Sequence, residues 1–273
     1  MKKFEGILIC TDLDGTLLRN DKTISDENKR AIEYFKSEGG KFTFVTGRMH
    51  YFATKMYDAI KPNAPIGCAN GGAVYDFDTG RYVWALTVGY DVLELADYVC
   101  ENIKDMAYQI TLLDKIYFHG TNDEMDNFVE RTGVERFTHT DEYIEEPIAK
   151  IVFCHPDPEM LIKALEVLKD HPRYAEFDYI RSEKTISEIL PKGAYKGAAL
   201  TRIAETVGVD MSRVIAIGDY YNDVTMLKAA ALGIAVGNAV DEVKAVADRV
   251  TVTNEEHAIA RVIADIESGE IKI

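Results

Sequence analysis

The stretch ILICTDLDGTLL, residues 7–18, decides the reading. An unbroken apolar run, Ile7 to Cys10, gives way to two aspartates, Asp12 and Asp14, followed by Gly15-Thr16. Apolar residues without polar alternation read as a strand covered on both faces, as in a parallel sheet between helices. The two aspartates then stand where that strand leaves the sheet. Carboxylates there gain nothing from burial and cost both desolvation and mutual repulsion. A metal ion is the first candidate to offset that cost.

The chain has 273 residues, 47% of them hydrophobic, enough for one large domain or two modest ones. No apolar run is long enough for a transmembrane helix. The start, Met1-Lys2-Lys3-Phe4-Glu5-Gly6, lacks the apolar stretch and cleavage site of a secretory signal. Cys10, Cys68, Cys100 and Cys154 are widely spaced and read as reduced thiols, so a cytoplasmic protein is expected. The formal net charge of −15 argues against nucleic acid and anionic membrane as partners. It also repels a phosphorylated metabolite, so an anion site must be made locally positive. Nothing in the sequence marks an oligomeric state.

Strand and helix alternate at both ends of the chain. Ile7–Cys10, Phe42–Val45, Ile66–Ala69, Val214–Ile217 and Ile234–Val236 read as strands. A helix starts after Ser25, an N-cap, with Asp26 and Glu27 in its first turn, and stops at Gly39-Gly40. Others are expected over Tyr195–Val207, Asp223–Ala230, Asp241–Ala247 and Glu255–Ile266. This alternation predicts an α/β fold with a doubly wound parallel-sheet (Rossmann-like) core. Residues 83–187 differ, with strand-like runs at Tyr108–Leu113, Lys115–Phe118, Ile148–Cys154 and Tyr174–Ile180 and helices between them. We therefore expect a core of 1–82 and 188–273 and an inserted α+β domain of 83–187.

In open α/β sheets, ligands bind beyond the carboxyl ends of the strands, near the point where strand order reverses. Four features fall at such ends: Asp12 to Thr16; Thr46-Gly47-Arg48; Lys196 in the first turn of a helix; and Gly218-Asp219 with Asn222-Asp223. Each alone has a plain alternative, as a turn, a helix cap or a solvated charge. Together they are poorly explained by coincidence.

These four segments, in this order and spacing, resemble the four motifs of the haloacid dehalogenase superfamily. The large insert resembles the C2-type cap of its Cof-type (subclass IIB) phosphatases. Ala69-Asn70-Gly71-Gly72-Ala73 and Val236 to Lys244 are similar to that group as well. Tyr220-Tyr221 and Glu256-His257 depart from its usual pattern. The resemblance implies a hydrolase using Mg2+, held by Asp12, the Asp14 carbonyl, Asp219 and Asp223. It implies Asp12 as the nucleophile that takes up a phosphoryl group and Asp14 as acid and then base. Thr46, Gly47, Lys196 and Asn222 would hold phosphate or substrate. Arg48 would reach the substrate or pair with an acid of the core.

Chemistry agrees with these roles. An aspartate with a pKa of about 3.9 is ionised at pH 7 and is a nucleophile without a base. Asp14, by contrast, must bind a proton to protonate a leaving oxygen, which calls for a raised pKa or a substrate-linked proton. Magnesium suits hard oxygen ligands. The expected activity is phosphatase action on a small phosphorylated metabolite, such as a sugar phosphate. Two alternatives are a phosphomutase or phosphotransferase of the same superfamily, and a receiver that merely accepts phosphate on aspartate. An insert of about 100 residues speaks against the receiver, which needs no lid. Tyr117, His119, Arg181 and Glu183 are candidates for substrate contact from the insert, with packing or solvation as the alternative.

Overall fold

The computed structural model describes residues 2–132, 134 and 146–273. In chain order the strands are β1 (Leu8–Thr11), β2 (Lys41–Phe44), β3 (Ile66–Cys68), β4 (Ala73–Asp76), β5 (Arg81–Ala85), β6 (Ala107–Leu112), β7 (Ile116–His119), β8 (Ile148–Cys154), β9 (Phe177–Glu183), β10 (Ile186–Pro191), β11 (Val214–Gly218), β12 (Leu232–Ala235) and β13 (Arg249–Val250). The helices are α1 (Asp26–Ser37), α2 (His50–Ile60), α3 (Leu93–Asn102), α4 (Asp123–Thr132), α5 (Pro158–Leu168), α6 (Lys196–Val207), α7 (Val224–Ala229), α8 (Asp241–Val246) and α9 (Ala258–Glu267). The chain divides into two compact units, Met1–Trp84 with Tyr195–Ile273, and Ala85–Ala194.

The first unit is built on a parallel sheet of order β13-β12-β11-β1-β2. All four residues of β1 are buried, as expected for a strand covered on both faces. Leu8 and Ile9 lie opposite Val214 and Ile215 on one side and Lys41 and Phe42 on the other. Burying a side chain such as Leu8 or Ile9 contributes about 1.5–3 kcal/mol, so the sheet centre is strongly specified. The same core takes in Ile32 and Phe35 of α1, Leu200 and Ile203 of α6, and Ile259 and Val262 of α9. From β1 the chain moves outward to β2. It returns on the other flank of β1 as β11 and then moves outward the opposite way. Strand order thus reverses between β1 and β11, the point where such sheets bind ligands.

Local signals explain most boundaries. Ser25 Oγ accepts from the Asn28 N–H at 3.2 Å and starts α1, and α6 ends at Gly208. Helix α2 carries no such signal, because Met49 makes no side-chain cap and the first turn has no acid. The strand at 66–69, expected in the parallel sheet, instead heads a separate sheet of order β3-β4-β5, antiparallel to β4. Its link to the main sheet is a single parallel bridge, Val45 to Gly67. Ala69 and Asn70 then turn into the left-handed region (φ 51° and 53°), which ends the strand.

The second unit is an antiparallel sheet of order β7-β6-β8-β10-β9 with α3 and α5 packed on it. Tyr108, Ile110, Ile151 and Phe153 meet Leu93, Leu161 and Leu168 in its core. It is α+β, as expected of an insert. It runs on to Ala194, past the expected edge at 187, because β10 continues to Pro191 and pairs with both β8 and β9. Ser187 and Glu188 interrupt the apolar pattern of that strand. Glu188 is nevertheless buried, accepting from Lys150 Nζ at 2.9 Å and Ser182 Oγ at 2.7 Å. The strand expected from Tyr174 starts only at Phe177, since Tyr174–Glu176 form a single 3-10 turn. Among the described residues, no helix is long and apolar enough to cross a membrane.

Candidate active site

Asp12 follows β1, and its N–H still donates to Ile217 O at 2.8 Å, so the residue remains tied to β11. Asp219 directly follows β11. Lys196, the first residue of α6, extends between Asp12 and Asp223. Its Nζ donates to Asp12 Oδ1 at 2.5 Å and to Asp223 Oδ1 at 2.6 Å. The three residues are 1% (Lys196), 6% (Asp12) and 0% (Asp223) exposed. The second oxygen of Asp223 accepts from the N–H groups of Asp219 (2.9 Å) and Tyr220 (3.0 Å), so this carboxylate also shapes the loop that carries Asp219. Asp219 Oδ1 accepts from Thr16 Oγ1 at 2.8 Å. Gly15, at φ +85°, passes so close that an added Cβ would lie 2.5 Å from Asp219 Oδ2. The motif around β1 needs glycine there because the second acid occupies the space.

One oxygen from each of Asp12, Asp219 and Asp223 lies within 4.8 Å of the others. Three ionised carboxylates around one ammonium leave an excess charge of −2, and the titration behaviour reflects it. Burial pushes Asp12 well above the ordinary carboxylate range; Lys196 opposes the shift, while Asp223 and Asp219 reinforce it. Burial, followed by the charge of Asp223, pushes Asp219 up to about 7, against the hydrogen bond from Thr16. Burial works against the Lys196 ammonium, but Asp12 and Asp223 outweigh it and raise its pKa. A donor set made only of carboxylate oxygens with surplus negative charge fits a hard divalent cation, and bound charge of that kind returns the acids to their ionised forms.

The other expected residues fall close by in the fold. Val45 N–H donates to Thr11 O at 2.9 Å, so Thr46 leaves the sheet on the strand next to Asp12. Its Oγ1 accepts from the Arg48 N–H at 3.2 Å across Gly47. In this structure Arg48 pairs with Asp14. Its Nε and one terminal nitrogen donate to the two oxygens of Asp14 at 2.9 and 2.8 Å. Lys22 Nζ adds a contact to Asp14 Oδ1 at 2.9 Å. Burial raises the Asp14 pKa, but Arg48 and then Lys22 outweigh it and hold the carboxyl below its usual value. Of the two routes expected for the Asp14 proton, this arrangement does not supply a raised pKa. Asn222 donates through Nδ2 to Asn70 Oδ1 at 3.0 Å.

Thr16, Lys22 and Asn70 also take part, although sequence reasoning assigns them no role. Thr16 and Asn70 lie in recognisable segments, but their partners Asp219 and Asn222 are 203 and 152 residues away, whereas Lys22 reaches Asp14 only eight residues earlier. Of the two departures, Tyr221 is exposed with its ring edge-on to Tyr220, and Glu256 closes a cap on Thr253 ahead of α9. In the second unit, His119 stacks on Tyr108 at 4.6 Å, and an Arg181 terminal nitrogen donates to Lys184 O at 3.0 Å.

Comparison with known proteins bears on the whole chain. A family model described as haloacid dehalogenase-like hydrolase matches residues 9–263. The chain is 31% identical to the 5-amino-6-(5-phospho-D-ribitylamino)uracil phosphatase YitU of Bacillus subtilis, over 94% of this chain and 96% of that one. It is 30% identical to the pyridoxal phosphate phosphatase YbhA of Escherichia coli, over 94% and 97%. The solved structure of a haloacid dehalogenase-like hydrolase from Bacteroides thetaiotaomicron superposes with a TM-score of 0.83 at 26% identity, over 95% of this chain and 99% of that one. The chain belongs to the haloacid dehalogenase-like hydrolases, in their Cof-type group, and is an enzyme of the phosphoric monoester hydrolase class.

Proposed function

We propose that this enzyme hydrolyses a small phosphorylated metabolite, a sugar phosphate or a related polyol or cofactor phosphate, through an aspartyl-phosphate on Asp12, with Mg2+ as cofactor. The observation that carries the reading is the buried Lys196 joined to Asp12 and Asp223, with an Asp219 oxygen within 4.8 Å of theirs. Asp12, the Asp14 carbonyl, Asp219 and Asp223 would hold the cation. Bound there, Mg2+ supplies positive charge between an anionic nucleophile and an anionic phosphoryl group.

In the first step an oxygen of Asp12 forms a bond to phosphorus, and the bond from phosphorus to the leaving oxygen breaks. That oxygen takes its proton from Asp14. In the second step water attacks the same phosphorus, Asp14 takes the water's proton, and the Asp12 carboxylate is released with phosphate. Thr46, Gly47, Lys196 and Asn222 hold the phosphoryl oxygens, where charge stabilisation is worth most. Asp14, ionised by Arg48 and Lys22, stands ready as the base of the second step. To serve as acid in the first it must gain a proton, which transfer of Arg48 from Asp14 to the substrate phosphate favours. These groups meet only the phosphoryl moiety that all such esters share, so the choice among metabolites falls to the inserted unit. The relatives' substrates, a ribityl phosphate and pyridoxal phosphate, support this class of leaving group. The four cysteines are free thiols, which supports a cytoplasmic setting.

The test is a screen of phosphorylated metabolites with Mg2+, reporting phosphate release, with an EDTA control. Turnover of at least one, lost in EDTA, is expected. No release from any ester, p-nitrophenyl phosphate included, would sink the proposal.

A further inference from the structure

We infer that Asn70 is a positioning residue for the reaction: its amide holds Asn222, and the turn it belongs to touches the Thr46 and Lys196 segments, in the arrangement that binds phosphate. The inference rests on the function proposed above. Asn70 is 1% exposed and lies in the left-handed region at φ 53°, directly after Ala69 at φ 51°. Two consecutive non-glycine residues in that region are costly and persist only where the surroundings over-determine them.

Four contacts do so. The Asn70 N–H donates to Thr46 O at 3.1 Å, and the Ala69 N–H to Arg48 O at 3.1 Å, pinning the turn to the loop that follows β2. Asn70 Oδ1 accepts from Asn222 Nδ2 at 3.0 Å, a bond between residues 152 apart in sequence. Gly71, at φ +91°, presses on the start of α6 so closely that an added Cβ would lie 2.2 Å from the Tyr195 carbonyl carbon and 2.5 Å from the Lys196 nitrogen. One turn thus touches three of the four segments that carry the site.

The side chain points the same way. Asn70 Nδ2 is buried and finds no hydrogen-bond partner among the described residues. Leaving a buried donor unpaired is unfavourable, so the amide is only half satisfied by its own hydrogen bonds. The half that is satisfied, Oδ1, is the one that holds Asn222. A 9% exposed Asn222 with one amide edge tied down presents its other edge in a single orientation. Without Asn70 the amide of Asn222 rotates freely, and part of its contact with a phosphoryl oxygen is lost.

The experiment compares Asn70→Gly with wild type and with Asn222→Ala. Glycine accepts φ 53° without strain, so any loss in Asn70→Gly reports the missing amide and not the backbone. Readouts are kcat and KM for p-nitrophenyl phosphate with Mg2+, inhibition by inorganic phosphate, and the thermal midpoint. We expect kcat/KM to fall about 10- to 100-fold, as when the supporting partner of a site residue is removed, with weaker phosphate inhibition and a midpoint close to wild type. The double variant should be no worse than Asn222→Ala alone, because Asn70 acts through Asn222. Full additivity of the two losses, or unchanged kinetics and phosphate inhibition in a folded Asn70→Gly, would overturn the inference. If Asn70→Gly does not fold, Asn70→Ser is read by the same criteria, its hydroxyl ending one bond short of the amide oxygen. An inactive wild type refutes the proposed function instead, and so the two failures are distinguishable.

Discussion

Replacing Asp219 by asparagine should stabilise the metal-free protein at neutral pH while abolishing its response to magnesium. Asp219 sits beside the buried Asp223, and its pKa is pushed from 3.8 to about 7. A carboxyl whose folded value lies above its unfolded value binds protons more tightly in the native state. Its contribution therefore turns unfavourable as pH rises through the unfolded value near 4, and the loss is complete only above about 7. Three units at about 1.4 kcal/mol each give an upper bound of about 4 kcal/mol; water at the partly open edge of the site screens it, so we expect about 1–4 kcal/mol. Asparagine keeps an oxygen for the Thr16 hydroxyl and carries no charge. Thermal melts in EDTA should show Asp219→Asn above wild type at pH 8, and the two converging at pH 4. On adding magnesium, wild type should rise with the logarithm of its concentration and the variant should not. A variant clearly less stable than wild type in EDTA at pH 8, or one that magnesium still stabilises, would refute the electrostatic reasoning.

Lys196→Met leaves Asp12 and Asp223 buried without their cation. Urea unfolding at pH 8 should show a loss of about 3–5 kcal/mol, shrinking at pH 5 as Asp12, whose pKa burial already pushes up, takes up a proton; equal stability at pH 8 would contradict the bridge. Arg48→Met removes the pair that holds Asp14 low. Below its folded pKa Asp14 is protonated and cannot act as base for hydrolysis of the intermediate, so the acid limb of kcat, which includes that step, should move up by about one unit or more with p-nitrophenyl phosphate, and an unmoved limb would exclude Asp14 as the titrating group. Replacing the inserted unit by a short Gly/Ser linker should abolish preference among metabolites while leaving weak activity on small activated esters. A folded core with unchanged preference would remove substrate choice from that unit.

The fold class was legible because its main signal is local. Ile7–Cys10 and Val214–Ile217 are apolar without alternation, and Ser25, Gly39 and Gly208 punctuate the helices between such strands. Elements without a local signal escaped. Helix α2 has no cap, and β10 carries Ser187 and a buried Glu188 whose partner Lys150 is far away in sequence. The acids at the ends of β1 and β11 were conspicuous because a carboxylate after an apolar strand has no packing rationale. Their consequences were not legible, since the low Asp14 is set by Arg48 and Lys22, and the high Asp219 by burial and then Asp223, and neither burial nor contact distance can be read from sequence. Asn70 shows the same limit. Its motif could be quoted, but the bond to Asn222 exists only once the chain has folded.

Every step proposed for this site depends on Asp12 as the phosphoryl acceptor. The direct measurement incubates Asp14→Asn enzyme with magnesium and labelled acetyl phosphate, quenches in acid, and maps the label by peptide mass spectrometry. With the base of the second step removed, the intermediate should accumulate. The expected result is near-stoichiometric phosphate on the peptide that contains Asp12, with none in Asp12→Ala. Turnover by wild type with no label at Asp12 in Asp14→Asn, or the same label persisting in Asp12→Ala, would contradict it.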